Sequence, residues 1–200
     1  MGESSGGYVD PSASIAPSAV VWEGAVVREL AALADGVIVG RGVYIGVGVV
    51  VGTNSKIQSN ALLYEPAVLG NGVFVGPGAI LTNDKHPRAV SPNGTLKTGR
   101  DWERVGVTVM EGASIGAGAV CVAPVTVGEW ALVAAGSVVV QNVPAFALVA
   151  GNPAKFVGWV GRAGKRLVVD AEDRRELTCP VTGERFKVII EGEILQRVSP

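Results

Sequence analysis

Cysteine is scarce in this chain, with two among 200 residues, Cys121 and Cys179. Two thiols make no disulfide framework, which excludes a small cross-linked scaffold. Histidine is scarcer still. His86 is the only one, so a site that needs several imidazoles from one chain cannot be built. Charged residues make up only 18% and the net charge is −1, which leaves no electrostatic case for nucleic acid or an anionic membrane. No window holds the roughly 18 uninterrupted apolar residues of a membrane span. The start, Met1-Gly2-Glu3-Ser4-Ser5-Gly6-Gly7, lacks the basic region and apolar run of a secretory signal. A reducing cytoplasm is therefore the expected location.

What is present is apolar and periodic. Hydrophobic residues reach 48%, enough for a substantial core, and the low charge implies surface buried in an oligomer. Every sixth residue from Val9 through Ile15, Val21 and onward to Leu81 is Val, Ile or Leu. Four residues after each comes a small or β-branched residue, such as Ala13, Ala25, Val43, Ser55 and Ala79. Glycine often follows the aliphatic residue directly, as at Gly40, Gly46, Gly76 and Gly116. A period of six fits neither an amphipathic helix nor a hairpin meander. It is the signature of a β-helix in which each hexapeptide is a short strand and a turn. Three hexapeptides close a triangular coil of about 18 residues, and coils stack about 4.8 Å apart. Residues 18 apart should then lie one above another. The stretch from Arg28 to Asp35 would read alone as a helical turn, but Val27, Leu33 and Val39 stay in phase across it.

The repeat breaks once. After Leu81 comes Thr82-Asn83-Asp84-Lys85-His86-Pro87-Arg88 and an irregular run through Trp102, and the register returns at Val109, Ile115, Cys121, Val127, Val133 and Val139. So long an insertion in a regular chain points to function. Two prolines and a Gly-Asn pair, Pro144 to Pro153, end the coil. Beyond them, residues around Leu167 and Val188 alternate like two short strands joined by a charged turn from Asp170 to Glu176. The expected organisation is a flexible leader over 1–8, a β-helix over 9–150 with a loop at 82–108, and a tail with a small hairpin over 151–200. The fold class is all-β.

The repeat, the Thr82 to Arg88 loop and the exit Asn142-Val143-Pro144-Ala145-Phe146-Ala147-Leu148-Val149-Ala150-Gly151-Asn152-Pro153-Ala154-Lys155 together resemble the hexapeptide acyltransferases. With Lys56-Ile57-Gln58-Ser59-Asn60 they look like bacterial enzymes that acetylate the 3-amino group of nucleotide-linked sugars. The resemblance covers about Val9 to Leu167. It implies a left-handed β-helix, a homotrimer, and acetyl-CoA in the cleft between subunits. Some relatives carry four cysteines of a zinc ribbon in the tail. This chain has Gly161-Arg162-Ala163-Gly164 and Cys179-Pro180-Val181-Thr182-Gly183 there. One thiol of four remains, so a hairpin of that shape without zinc is expected.

Acetyl transfer from a thioester to an amine needs a neutral, well-aimed amine, a stabilised oxyanion and a proton acceptor within reach. An imidazole, with an ordinary pKa of about 6.5, suits the last task. Two readings of His86 stand: general base, or a loop residue that only positions substrate. Asn83 lies two residues past Leu81, with Glu65 18 residues earlier and so directly beneath; amide and carboxylate together could orient a sugar hydroxyl and the amine. Either Asn83 or Asp84 could instead cap the loop as an Asx turn. Arg88 offers a guanidinium fork for a diphosphate, or is an exposed loop arginine. Gln58, Asn60 and Tyr64 are read as polar corner residues near the sugar or base, against the plainer reading of turn residues.

Ala117, Ala135 and Pro153 are 18 apart and form one column of small residues. In the resembling family this column binds CoA, which puts Ala154, Lys155 and Arg166 at the adenine and phosphate end. No metal site is expected. Two other functions compete on the same scaffold. An O-acetyltransferase would depend more heavily on His86, because a hydroxyl is hard to deprotonate. A non-catalytic β-helix would have no need of the polar loop together with the small column.

Overall fold

The computed structural model describes residues 3–4, 6–190 and 194–198. Its strands are mostly two residues long and stack into three sheets of nine, seven and six strands, parallel except for the last strand of the first. Consecutive strands fall on successive faces. Val20–Val21, Ile38–Val39, Lys56–Ile57 and Phe74–Val75 lie on the first face. Tyr44–Ile45, Leu62–Leu63 and Ile80–Leu81 lie on the second, and Val50–Val51 and Val68–Leu69 on the third. The chain is a hexapeptide-repeat parallel β-helix. Lys56 pairs with Phe74 and Leu63 with Leu81, so the 18-residue coil holds.

The hexapeptide is dictated by what must fit inside a narrow prism. Ile45, Ile57, Leu63, Leu81 and Ile115 point inward and are fully buried. Each such side chain contributes roughly 1.5–3 kcal/mol by leaving water. The small residues four positions on fill the inner corners, and Ala25, Ala61, Ala79 and Ala119 are also fully buried. The two serines at these corners are satisfied. Ser55 Oγ accepts from Val73 N (3.0 Å) and donates to Gly70 O (3.1 Å), and Ser137 Oγ accepts from Gly151 N (3.2 Å). Cys121 takes an inward aliphatic position, where burial pushes its thiol up to about 12.

Two further sequence features acquire reasons. A Cβ on Gly76 would sit 2.5 Å from Ala117 N, so the glycine after the aliphatic residue lets the next coil lie directly on its backbone. The third residue after the aliphatic one takes a left-handed turn, φ 68° at Gly36 and 62° at Asn60.

The inserted loop leaves from the edge between the second and third faces. Coil register resumes with Leu69 opposite Val109, an offset of 40 against the usual 18, so 22 residues are added. The third face restarts at Val107, two residues earlier than expected. The loop is not structureless. Val90 and Leu96 form an antiparallel bridge, and Lys97 N donates to Ala89 O (3.0 Å) around a tight turn at residues 91–95.

Both ends differ from the sequence expectation. Glu3–Ser4, placed in a flexible leader, pairs with Val20–Val21. At the exit, Val127 meets Val143 and Val133 meets Val149, each offset by 16. The last coil is two residues short. The strand Ala147–Gly151 then folds back on Ala154–Trp159 around Asn152 and Pro153. The tail is more than a hairpin: four antiparallel strands, Val168–Val169, Glu176–Thr178, Arg185–Ile190 and Ile194–Arg197, form their own sheet. The expected pairing of the Leu167 and Val188 segments is interrupted by Glu176–Thr178, which lies between them. Cys179 packs against the turn at Gly161, its Sγ 3.0 Å from the position of a Cβ on Gly161. No helix is found among the described residues, and none is long and apolar enough to cross a membrane.

Candidate active site

The edge that carries the loop also carries Tyr64 and Glu65. Register sets Asn83 one coil above Glu65, as the spacing requires. The amide and carboxylate do not meet across it. Glu65 Oε2 turns to the coil below, 2.5 Å from where Gly46 would carry a Cβ, and has no hydrogen-bond partner there. Asn83 is half-buried, and its carbonyl accepts from Val105 N (3.2 Å), which closes the base of the loop. Thr82 Oγ1 accepts from Ala123 N (3.0 Å) and ties the same base to the next coil. The Asx turn belongs to Asp84, whose Oδ1 accepts from His86 N (2.8 Å). His86 is thereby held at the surface of a cleft of about 490 Å³ shared with Asp84, Lys97 and Trp102. A second cleft of about 560 Å³ also has Asp84, Lys97 and Trp102 in its wall. Arg88 lines it, exposed, with its guanidinium donating to Pro87 O (2.8 Å).

The remaining expected acceptor residues divide between two edges. Tyr64 stays near Asn83; its ring lies 5.2 Å from that of Tyr44, whose hydroxyl accepts from Arg28 (3.1 Å). Gln58 and Asn60 occupy the edge between the first and second faces, one corner away. Asn60 is a turn residue by its φ of 62°, and its side-chain oxygen lies over Gly42. The column rule places Ala117 and Ala135 on this same edge, both exposed, two and three coils above Gln58. Next to them Gly118 and Gly136 have open space where a Cβ would stand.

Pro153 leaves that column. Because the last coil is two residues short, Gly151 continues the line from Ala135, and Pro153 sits in the turn beyond it. Ala154 and Lys155 follow immediately, paired with Gly151 and Ala150, with Lys155 exposed. Arg166 is elsewhere. It bridges Val160, past Trp159, which pairs with Ala147 at the opposite end of the hairpin. Four residues of strand, roughly 13 Å, separate the two ends. Arg166 and Lys155 are not brought together.

Sequence reasoning passed over Lys97 and the pair Thr98–Asp101. Asp101 Oδ2 accepts from Thr98 N and Thr98 Oγ1, both at 2.7 Å, and these bonds hold its carboxyl below the usual range. The signal was present in Asn93-Gly94, a hairpin turn that sets Lys97 opposite Ala89. Among the described residues no cluster of His, Cys, Asp and Glu could hold a metal.

No protein-family model matches the chain. It is 49% identical over 59 residues to a dTDP-3-amino-3,6-dideoxy-alpha-D-galactopyranose 3-N-acetyltransferase of Aneurinibacillus thermoaerophilus, which covers 30% of this chain and 31% of that protein. It is 40% identical over 80 residues to a 2,3,4,5-tetrahydropyridine-2,6-dicarboxylate N-acetyltransferase of Staphylococcus aureus, covering 40% of this chain and 28% of that one. The matched stretch thus spans less than a third of either relative. Among solved structures, a hexapeptide-repeat acetyltransferase of Vibrio cholerae is 20% identical with a TM-score of 0.46, covering 78% of this chain and 72% of that one. These two curated relatives that match stretches of this chain are both N-acetyltransferases.

Proposed function

We propose that the protein moves acetyl from acetyl-CoA to the amino group, at C3, of a UDP- or dTDP-linked amino sugar. The observation that carries this reading is the loop itself. The single insertion in the β-helix sets the chain's one imidazole on a cleft lined by charged side chains, with Asp84 on its wall and Asn83 at the foot of the loop. The sugar-nucleotide acetyltransferase of Aneurinibacillus supports the choice of acceptor. The exposed column of Ala117 and Ala135 fits the donor, because small side chains let pantetheine lie against the backbone.

The two halves of the site lie on different edges of one prism. A homotrimer answers that division, with the loop edge of one copy facing the column edge of the next. In the reaction the sugar amine attacks the thioester carbonyl, a C–N bond forms, and the C–S bond breaks as the tetrahedral intermediate collapses. His86 takes the amine proton and returns it to the leaving thiolate. The Asn83 amide steadies the acceptor. Lys155 reaches the phosphates of CoA, whereas Arg166 stands too far along the hairpin to share that task. Two free, buried cysteines fit a reducing cytoplasm.

The test is thiol release from acetyl-CoA with a panel of 3-amino and 4-amino sugar nucleotides and their hydroxyl counterparts. Turnover with a 3-amino sugar alone is expected. Turnover with the hydroxyl sugars and none with the amines would replace this reading by O-acetylation. No turnover and no CoA binding would leave a scaffold.

A further inference from the structure

The two clefts of the loop share Asp84, Lys97 and Trp102 but differ in charge. On the His86 side, Asp84, Asp101 and Glu103 face Lys85 and Lys97. In the other cleft, Arg88 and Lys97 face Asp84 alone. One cleft is therefore acidic and holds the imidazole; the other is basic. A molecule with an amine at one end and a diphosphate at the other matches both signs at once.

We infer that the basic cleft is a nucleoside diphosphate subsite, in which Lys97 binds the diphosphate and Trp102 stacks the base. This rests on the reading of the acceptor as nucleotide-linked. Lys97 is built for the part. It makes no ion pair within 4.0 Å among the described residues, whereas Arg28, Arg162 and Arg185 are each paired with a glutamate. Its backbone is fixed, with Lys97 N on Ala89 O and Thr98 pinned to Asp101. Its ammonium has no hydrogen bond to break among the described residues and acts on the Asp101 carboxyl only at longer range, so it can give a phosphate a charge-assisted hydrogen bond. Trp102 forms a wall common to both clefts, with the Arg104 guanidinium 5.7 Å from its ring centre. A base stacking on the ring would lie in sequence-tolerant contact, so the diphosphate rather than the base dominates recognition.

Calorimetric titration of dTDP and of UDP into the whole protein tests this, with acetyl-CoA titrated separately. At least one nucleoside diphosphate is expected to bind the wild type. Lys97→Ala should weaken it about tenfold or more, the worth of a charge-assisted bond. Lys97→Arg should keep most of the affinity, Trp102→Leu should weaken it less than Lys97→Ala does, and acetyl-CoA affinity should stay unchanged in all three. Equal binding by Lys97→Ala and wild type would overturn the proposal. So would the absence of binding of either nucleotide to a wild type that binds acetyl-CoA. Nucleotide binding that depends on Lys97, in a protein that ignores acetyl-CoA, would keep the subsite and sink the transferase reading.

Discussion

His86 is held by its neighbour rather than by its own bonds: the Asp84 carboxylate fixes its backbone N–H and leaves the imidazole over the cleft. As the proposed base, His86 should matter for the chemical step more than for binding. His86→Ala is expected to lower kcat by about two to three orders of magnitude with KM for the acceptor changed little. A raised KM with kcat preserved would make His86 a positioning residue instead. Cys121 shows the opposite environment. Its thiol is raised by burial, so the folded protein keeps the proton that an unfolded chain gives up at an ordinary cysteine pKa. Stability from this residue is therefore full at neutral pH and is lost as pH rises from about 9 to about 12. Iodoacetamide followed by mass spectrometry should label Cys121 only after unfolding; labelling of the native protein at pH 8 would show that the core opens there. The spacing of Glu65 and Asn83 was legible in the sequence, but the rotamer of Glu65 was not. An 18-residue interval fixes which residues stack, and says nothing about whether a side chain turns up or down.

At the scale of elements, the hexapeptide was readable because a narrow prism admits few side chains inside and demands glycine where coils touch, as at Gly76. The exit was not. The slip of two residues between Val127 and Val143 comes where the chain leaves the repeat, and no period exists there to measure it by. That slip is what removes Pro153 from the alanine column. The same six-residue step that defines the repeat also separates Gln58 from Tyr64 by one corner, so reading them as one cluster overlooked the geometry of the coil. The C-terminal sheet was only half visible, because short antiparallel strands in a charged segment carry a weak pattern. Its inner residues Leu177, Cys179, Phe186 and Leu195 join one buried cluster with Phe146 and Trp159. Phe146 meets Phe186 at 5.2 Å between ring centres, and Arg162 lies 5.1 Å from the Trp130 ring. Glu184, nearly buried, accepts from Thr182 Oγ1 (3.0 Å) and from Arg197 (3.2 Å). Glu184→Ala should cost about 1–3 kcal/mol, less than a fully buried pair because its two arginine partners, Arg197 and, at 3.8 Å, Arg162, are part-exposed. Hydrogen exchange should quicken across Glu176–Thr178 and Arg185–Ile190 and stay slow in the coils. Equal quickening in the coils would mean that the sheet and the β-helix unfold as one.

For the whole molecule, the decisive feature is that the loop and the alanine column stand on different edges of one prism. Outward strand positions such as Val50, Val68 and Phe74 are apolar and exposed, which suits coverage by another copy. If one active site uses the loop of one copy and the column of the next, two different lesions can complement each other. His86→Ala damages only the loop edge, and Ala135→Trp blocks only the column edge. Each variant alone should be inactive in acetyl transfer to the amino-sugar nucleotide. Trimers assembled from an equal mixture should regain about one quarter of wild-type activity, the share of sites in which both edges come from the unaffected partner. Mixed trimers that form and stay inactive would contradict a site shared between copies, and with it the proposed acetyl transfer across the seam.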